Sequence, residues 1–188
     1  SEIRFVGGCI RKILNKEKID DIDLATNITP QEIKIALDKF NLKYFETGIK
    51  HGTISSIINE KKFEITSLRK DITTDGRHAN VEFTKDWLID ASRRDFTINS
   101  IYADLDGNLF DPFEGKSDLE KGQVKFIGNA EIRIQEDYLR IMRYIRFFLN
   151  YSEIPHDENI KKIIYKNING IKNLSRDRIL DELKKLFL

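Results

Sequence analysis

Two aspartates and a glycine turn lie in one short stretch of the sequence, VGGCIRKILNKEKIDDIDLATNITP at 6–30. Asp21 and Asp23 alternate around Ile22, so on a strand both carboxylates point to one face while Ile22 points to the core. Like charges held this close repel unless a cation lies between them. Paired carboxylates suit Mg²⁺, which keeps water and substrate phosphates as its other ligands. For an Asp-x-Asp pattern taken alone, the alternative of two solvated acids at a strand end is favoured.

The glycine pair Gly7-Gly8 follows a strand pattern and precedes a helical one. Glycines at such a turn let phosphate oxygens approach backbone N–H groups. Arg11, one turn into the helix, can bind a triphosphate with its planar guanidinium. The alternative is a tight turn that needs a positive φ at glycine, and the glycine pattern alone favours it. Because glycines and acids belong to one β-α-β unit, phosphate and metal ligands are expected to meet at one sheet edge.

A site for two metal ions needs a third acid from a neighbouring strand. In the pattern KFEITSL, Phe63 and Ile65 alternate inward and leave Glu64 on the other face. Glu64 is therefore the predicted third member of the catalytic set with Asp21 and Asp23.

The composition is that of a globular protein, with 40% hydrophobic and 34% charged residues among 188. The formal net charge of +1 does not by itself indicate a nucleic-acid partner, although residues 133–146 are locally basic. The single cysteine, Cys9, excludes an intramolecular disulfide and fits a reducing compartment; we expect it to be buried. No apolar run approaches a membrane span, so no membrane partner is expected. Because the sequence starts in a strand pattern and ends in a helical one, we expect it to be part of a longer chain.

The residue patterns predict an α/β unit up to about residue 128 and an all-helical part after it. Predicted strands lie at 3–8, 21–26, 44–47, 52–59 and 62–69, with the last two as a hairpin and a further hairpin at 102–113. Predicted helices lie at 9–15, 30–40, 86–100, 130–150, 158–168 and 175–187, and Thr29-Pro30 is expected to begin the second of them. The polar, turn-rich stretch 71–84 is predicted to be a mobile loop.

The stretch EDYLRIMRYIRF places Asp137, Arg140, Arg143 and Arg146 three residues apart in the predicted helix 130–150. Residues at this spacing are neighbours on one helix face. A fixed carboxylate beside a guanidinium matches the amino donor and ring-nitrogen acceptor that cytosine and adenine share. Uracil and guanine would leave polar groups unpaired, at about 1–3 kcal/mol each. The alternative is an Asp137–Arg140 pair within the helix, worth about 0.2–0.5 kcal/mol, and spacing alone does not separate the two.

The stretch SRRDFTINS carries two adjacent arginines. Arg94 is the predicted nucleotide contact and Arg93 is the alternative. Asp95 is expected to hold an arginine in place, and Asn99 either contacts a ribose or packs as a structural amide. The histidines lack partners at metal-ligand spacing, so none is assigned a role.

Six motifs occur in one order along the chain: VGGCIR, DIDLAT, FEITSLR, DGRHANVEFT, SRRDFTINS and EDYLRIMRYIRF. In this order the sequence resembles class II tRNA nucleotidyltransferases, which comprise the CCA-adding enzymes and the bacterial poly(A) polymerases. The resemblance implies an α+β fold with a nucleotidyltransferase-type mixed β-sheet head at 1–128. The all-helical segment 129–188 would contain the neck and the start of the body. The rest of the body and the tail, which grip the tRNA, would follow it.

The resemblance also assigns residues to the site. Asp21 and Asp23 match the metal-binding aspartates, and the residues that match nucleotide-binding positions are Gly8, Arg11, Arg94, Asp137, Arg140, Arg143 and Arg146. Arg143 and Arg146 can alternatively form ion pairs between neck and head. The loop DGRHANVEFT is implied in the change from C to A addition. Lys12 stands where the family usually has an aspartate, and no role is assigned to it.

The implied activity is metal-dependent, template-independent addition of CMP and AMP from CTP and ATP to the 3′ end of tRNA, with Mg²⁺ as cofactor and pyrophosphate as product. The alternatives are an enzyme that adds poly(A) or only A to tRNA 3′ ends and a catalytically weak RNA-binding module. The expected location is the cytoplasm, or the mitochondrial matrix in a eukaryote. The sequence does not determine the oligomeric state.

Overall fold

The structure is a computed structural model that describes residues 1–19, 21–74 and 79–187. Its strands are β1 (Ile3–Val6), β2 (Ile22–Thr26), β3 (Tyr44–Gly48), β4 (Thr53–Ile58), β5 (Lys61–Ser67), β6 (Arg69–Thr74), β7 (Ala79–Phe83), β8 (Tyr102–Ala103) and β9 (Leu109–Phe110). Its helices are α1 (Gly8–Leu14), α2 (Pro30–Lys39), α3 (Trp87–Ser92), α4 (Gly115–Glu120), α5 (Ala130–Glu136), α6 (Leu139–Tyr151), α7 (Glu158–Asn167) and α8 (Arg176–Phe187). Short 3₁₀ segments lie at Ile49–His51, Thr97–Asn99 and Ile168–Asn173.

A mixed sheet with the strand order β3-β4-β5-β2-β1-β8-β9 forms the first part of the molecule. The β2–β5 pair is parallel and the other pairs are antiparallel. On one face, Leu24, Ile54 and Ile65 pack against Ile33 and Leu37 of α2. The α+β fold with a mixed sheet, predicted from the sequence, is confirmed.

The local chemistry explains where several elements begin and turn. Thr29 and Glu32 form a reciprocal capping box at the start of α2, and Pro30 occupies its first turn, as Thr29-Pro30 predicted. Asn59 and Glu60 both have positive φ in the tight turn between β4 and β5. Such a turn matches the twist of a hairpin, so the hairpin predicted between these strands is confirmed.

The prediction of a loop over residues 71–84 is wrong. β6 and β7 form a separate two-stranded antiparallel sheet with pairs from Arg69–Phe83 to Thr74–Ala79. A hairpin outside the main sheet need not bury an alternating apolar face, so its polar sequence concealed the strands. Residues 75–78 of the predicted loop lie outside the described residues.

The helix predicted over 86–100 is shorter than expected. α3 ends at Ser92, and Phe96 is extended, with φ −125° and ψ 150°. Phe96 is fully buried and pairs with Phe126 in an isolated bridge. Tertiary packing of this phenylalanine therefore overrides the local helical pattern.

The helix predicted over 130–150 is broken at Asp137, which is extended with φ −157° and ψ 105°. The side chain of Asp137 accepts a hydrogen bond from the backbone N–H of Leu139 at 3.1 Å. An aspartate that bonds to the backbone two residues ahead favours a turn over a continuous helix. The prediction that Asp137 and Arg140 share one face of a single helix is therefore wrong.

An aromatic and aliphatic core joins the segments on either side of residue 128. Phe96, Ile98 and Phe126 pack in one cluster with Tyr144 and Phe147 of α6. The predicted division into residues 1–128 and 129–188 stays a prediction. Within the described ranges, no helix combines the length and apolar character needed to cross a membrane.

Candidate active site

A cleft of about 720 Å³ lies where the strand-to-helix turn after β1, the start of β2, the segment after α3 and the helices α6 and α8 converge. Its lining includes ten lysines and arginines against five aspartates. Such an excess of positive charge in a cleft concentrates anionic ligands. All the residues predicted to bind nucleotide line it, as do both predicted metal ligands: Gly8, Arg11, Asp21, Asp23, Arg94, Asp137, Arg140, Arg143 and Arg146.

The two aspartates lie on the side of this cleft that the sheet forms. Asp23 is on β2, and its neighbours Ile22 and Leu24 belong to the cluster beneath α2, so Asp23 faces the other side. Burial raises the pKa of Asp23, and the carboxylates of Glu64 and Asp21 raise it further. Asp23 is therefore a carboxylate whose charge the protein leaves incompletely compensated.

Glu64 is the direct neighbour of Asp23 across the parallel β2–β5 pair, as the strand pattern required. Its carboxylate, however, binds the Lys62 ammonium at 2.5 Å, and the residue is not part of the cleft lining. In the described parts of the chain, no three acidic, histidine or cysteine side chains come together as a metal-ligand group. The role of Glu64 as a third ligand stays a prediction.

The donor set at Asp21 and Asp23 fits a hard divalent cation. Neither carboxylate forms an ion pair among the residues that the structure describes. Two hard oxygen ligands with open coordination positions are the pattern that Mg²⁺ takes when a substrate phosphate supplies further ligands. A bound cation would also relieve the repulsion that raises the pKa of Asp23.

The glycine turn brings backbone and arginine together at the cleft. Gly7 has a φ of +69°, the left-handed conformation that favours glycine, so the structure bears out the tight-turn interpretation for this residue. A side chain at Gly7 would also contact Arg94, whose Nη1 lies 3.4 Å from an added Cβ. Cys9 is buried, as predicted.

Arg11 is held almost entirely inside the protein. Only 7% of its surface is exposed, and its Nη1 donates to Asn99 Oδ1. The guanidinium carbon lies 4.7 Å from the centre of the Phe147 ring and 5.0 Å from that of Tyr151. Asn99 in turn donates to Asp95 at 3.0 Å. Arg11 thus has a fixed orientation, and Asn99 has a structural partner on each side.

Asp90 is the centre of a cluster with Arg93 and Arg94, a role that was not predicted from the sequence. Its two carboxylate oxygens accept from Arg93 Nη2 at 2.8 Å, Arg94 Nη2 at 3.2 Å and Tyr102 Oη at 2.7 Å. The backbone N–H of Arg69 also donates to it, at 3.1 Å. Burial opposes its charge, yet Arg94 and Arg93 outweigh burial and lower the pKa of Asp90 to about 2. An aspartate three and four residues before two arginines on a helix is the signal that could have found it.

This geometry predicts a pH dependence of stability that depends on Asp90. A lowered pKa stabilises the folded state above the ordinary value of 3.8, and this contribution is lost as the pH falls toward about 2. Between about pH 6 and pH 3, the free energy of unfolding of the wild type should fall about 1 kcal/mol further than that of Asp90→Asn. Urea unfolding of both proteins at each pH measures this difference, and parallel pH profiles would contradict it.

A second acid, Asp95, holds an arginine, as the sequence predicted, and this arginine is Arg143. Arg143 Nη2 lies 2.6 Å from Asp95 Oδ2, so α6 is tied to the segment that follows α3. Burial opposes this charge as well, but Arg143 and Asn99 keep the pKa of Asp95 below its ordinary range. Arg146 pairs at 2.6 Å with Glu182, which is 4% exposed on α8. Arg143 thus forms an ion pair between the predicted neck and head, as the alternative expected, whereas the partner of Arg146 lies within the predicted neck.

Asp137 and Arg140 both line the cleft but do not pair with each other in the described structure. Asp137 Oδ2 lies 2.7 Å from Arg178 Nη2 of α8, and Arg140 Nη1 lies 2.5 Å from Glu136 Oε2. The alternative of an ion pair between Asp137 and Arg140 within one helix is therefore not what the structure shows. Each has its own partner, and these partners are 41 and 4 residues away in the sequence.

Several cleft residues could not be found from sequence patterns. Arg178 and Lys185 come from α8, Arg69 and Asp71 come from β6, and His51 comes from the 3₁₀ segment before β4. Lys12, for which no role was predicted, also lines the cleft. Each of these positions reads locally as a surface charge, and only the packing of distant segments brings them to the site.

Comparison with known proteins places these residues in a family. The chain is 48% identical over 190 residues to human CCA tRNA nucleotidyltransferase 1, mitochondrial, across 100% of this chain and 44% of that protein. The crystal structure of the Bacillus stearothermophilus CCA-adding enzyme in complex with CTP matches with a TM-score of 0.86 and 31% identity, over 98% of this chain and 44% of that one. A tRNA nucleotidyltransferase complexed with a primer tRNA and an incoming ATP analog matches with a TM-score of 0.76 and 26% identity, over 97% and 52% of the two chains.

The chain spans about half the length of the relatives that it matches. The model of the poly A polymerase head domain matches residues 3–125, which is more than half of the chain. The order of motifs from VGGCIR to EDYLRIMRYIRF had led to the same group. The chain therefore belongs to the poly A polymerase head domain family, in the group that includes the CCA-adding enzymes.

Proposed function

We propose that this chain is the catalytic part of a CCA-adding enzyme, which transfers CMP and AMP from CTP and ATP to the 3′ end of tRNA without a nucleic-acid template. The observation that carries the proposal is the meeting of three groups in one cleft. The first group is the carboxylate pair Asp21 and Asp23, and the second is the arginines whose orientation is fixed by neighbouring side chains. The third is Asp137 and Arg140, each of which is held by its own partner. The names of the human and Bacillus stearothermophilus relatives support the same activity.

Asp21 and Asp23 are proposed to hold Mg²⁺, with Glu64 as the candidate third carboxylate. When bound, the metal would neutralise charge on the triphosphate and favour ionisation of the RNA 3′-hydroxyl. The open carboxylates and the raised pKa of Asp23 support this assignment. Because a protonated carboxylate binds metal poorly, the loss of activity on acidification should begin above the ordinary pKa of an aspartate.

The phosphates are proposed to bind to Gly8 and to the arginines that the acids orient. Arg11 is fixed by Asn99 and Arg94 by Asp90 and Tyr102, so neither side chain has to be ordered when nucleotide binds. Preorganised positive groups stabilise the charge that develops during phosphoryl transfer. In the described structure Arg143 and Arg146 are engaged by Asp95 and Glu182, and phosphate contact from them would use their remaining donors.

Base selection is proposed to come from Asp137 and Arg140. Arg140 uses Nη1 for Glu136 and for the Arg133 carbonyl at 2.7 Å, which leaves its other N–H groups for a ring nitrogen. Each oxygen of Asp137 already accepts one protein donor, and each has a further lone pair for an exocyclic amino group. This arrangement suits cytosine and adenine and leaves uracil and guanine with unpaired groups.

The remaining parts of the proposal concern the whole protein. A head at 1–128 and a helical neck at 129–188 would be followed by a body and tail that grip the tRNA. We place the protein in the cytoplasm or, if the source is a eukaryote, in the mitochondrial matrix, since the human and mouse relatives are named mitochondrial.

A single incorporation assay tests the activity. The full-length protein, with ATP and CTP together and each alone, would be given tRNA that ends before CCA and tRNA that ends in CC. Addition of C, C and A in sequence supports the proposal. Long A tracts, or A added only to the CC-ended tRNA, would instead support the poly(A) or A-only alternatives, and no addition with retained RNA binding would support the RNA-binding module.

A further inference from the structure

Arg133 of α5 has no role in the site as described so far, yet its guanidinium contacts the backbone of the two arginines that precede Asp95. Its Nη2 donates to the carbonyl oxygen of Arg93 and, at 2.7 Å, to that of Arg94. These contacts join residues 40 and 39 positions apart in the sequence. The position of the Arg94 backbone is therefore set from α5 as well as from the end of α3.

The same guanidinium reaches the base-reading side of the cleft through Glu136. Arg133 Nη1 lies 2.6 Å from Glu136 Oε2, and that same oxygen lies 2.5 Å from Arg140 Nη1. The backbone carbonyl of Arg133 accepts from Arg140 Nη1 at 2.7 Å. The side chains of Arg133 and Arg140 are 13% and 12% exposed, and that of Glu136 is 31% exposed, so both guanidinium groups are largely shielded while the carboxylate still contacts solvent.

Two guanidinium groups on one carboxylate oxygen repel each other. Burial and the nearby Arg140 both lower the pKa of Arg133, which agrees with a like-charge pair that Glu136 holds together. A lysine at position 133 keeps the charge but lacks the planar fork that contacts carbonyls and carboxylate at once. The arrangement therefore depends on an arginine and not merely on a cation.

We propose that Arg133 is a positioning residue that couples Arg94, on the phosphate side of the cleft, to Arg140, on the base side. The proposal rests on the proposed function, because it assigns Arg133 to the same nucleotide site. As a consequence, binding of a matching base at Arg140 and placement of the phosphates at Arg94 depend on each other. Loss of Arg133 should reduce discrimination between bases more than it reduces affinity for the triphosphate.

The test is binding of CTP and UTP to the purified protein by calorimetry in the presence of Mg²⁺, for the wild type, Arg133→Lys and Glu136→Gln. We expect the ratio of CTP to UTP affinity to fall by about tenfold in Arg133→Lys. Affinity for inorganic tripolyphosphate should fall less than this ratio. Glu136→Gln keeps a hydrogen-bonding side chain but removes the charge, so it should lower the same ratio and serves as the second variant if Arg133→Lys is unstable.

Glu131→Gln is the matched control. Glu131 lies on α5, as Arg133 does, and the substitution removes its ion pair with Lys166 of α7, at 2.6 Å. Neither residue of this pair lines the cleft. The substitution should therefore leave the CTP to UTP ratio unchanged. If the wild type prefers CTP over UTP and the folded Arg133→Lys and Glu136→Gln variants show the same preference, the coupling role of Arg133 is overturned. The proposed function is then unaffected. A wild type that does not discriminate would overturn both the proposed function and the coupling.

Discussion

Replacing Asp23 by asparagine is expected to abolish nucleotide incorporation while making the fold more stable. The activity should fall by about a thousandfold, because asparagine supplies no negative charge to hold the metal at the triphosphate. The stability should rise because the folded state raises the pKa of Asp23 through burial and the Glu64 carboxylate. A raised pKa means that the ionised form destabilises the fold at neutral pH, and the neutral amide avoids this cost.

Single-turnover incorporation and urea unfolding at neutral pH measure the two effects on one preparation. Asp106→Asn is the matched control, since it makes the same charge change at an exposed turn between β8 and β9. It should alter neither quantity. Substantial incorporation by Asp23→Asn would refute the metal assignment. Glu64→Gln, measured beside it, decides the third ligand, because a loss as large as that of Asp23→Asn is expected only if Glu64 contacts the metal.

The second large effect concerns the choice of base. Asp137→Ala combined with Arg140→Ala is expected to remove the preference for CTP and ATP over UTP and GTP, a change of about a hundredfold if each lost match is worth about 1–3 kcal/mol. Total incorporation should persist at a lower rate, since the carboxylates and the phosphate-binding arginines remain. Competition among the four nucleotides in one reaction measures the preference directly.

Arg178→Met separates base reading from general damage to the cleft. Methionine keeps much of the length of the side chain and removes the cation that lies 2.7 Å from Asp137. If Asp137 reads the base, freeing its side chain should weaken the preference partly, to a value between those of the wild type and the double variant. Unchanged selectivity in the double variant would refute the role of Asp137 and Arg140.

The catalytic stretch could be predicted from the sequence because its chemistry is local. The alternation of Asp21, Ile22 and Asp23 follows from the two-residue period of a strand, and the structure keeps it. The glycine turn and the Thr29-Pro30 start of α2 are likewise determined by one or two residues. The placement of Glu64 beside Asp23 needed only the additional step that β5 lies next to β2.

Sequence patterns predict the wrong conformation where distant segments decide it. The helical period around Asp137 is strong. The helix is nevertheless interrupted there, because the Asp137 side chain bonds to the Leu139 backbone and to Arg178 of α8. Phe96 ends its helical pattern because it is buried against Phe126 and Phe147. Periodicity describes only the residues within a few turns, so it contains no information on these contacts.

The sequence by itself determined the kind of residues in the site and the order in which they occur. The tertiary structure alone decided which distant acids hold which arginines: Asp95 for Arg143 and Glu182 for Arg146. Charged side chains are interchangeable in a sequence pattern. Where a charged side chain is largely buried, it must find a partner within about 3 Å, and packing fixes which partner that is.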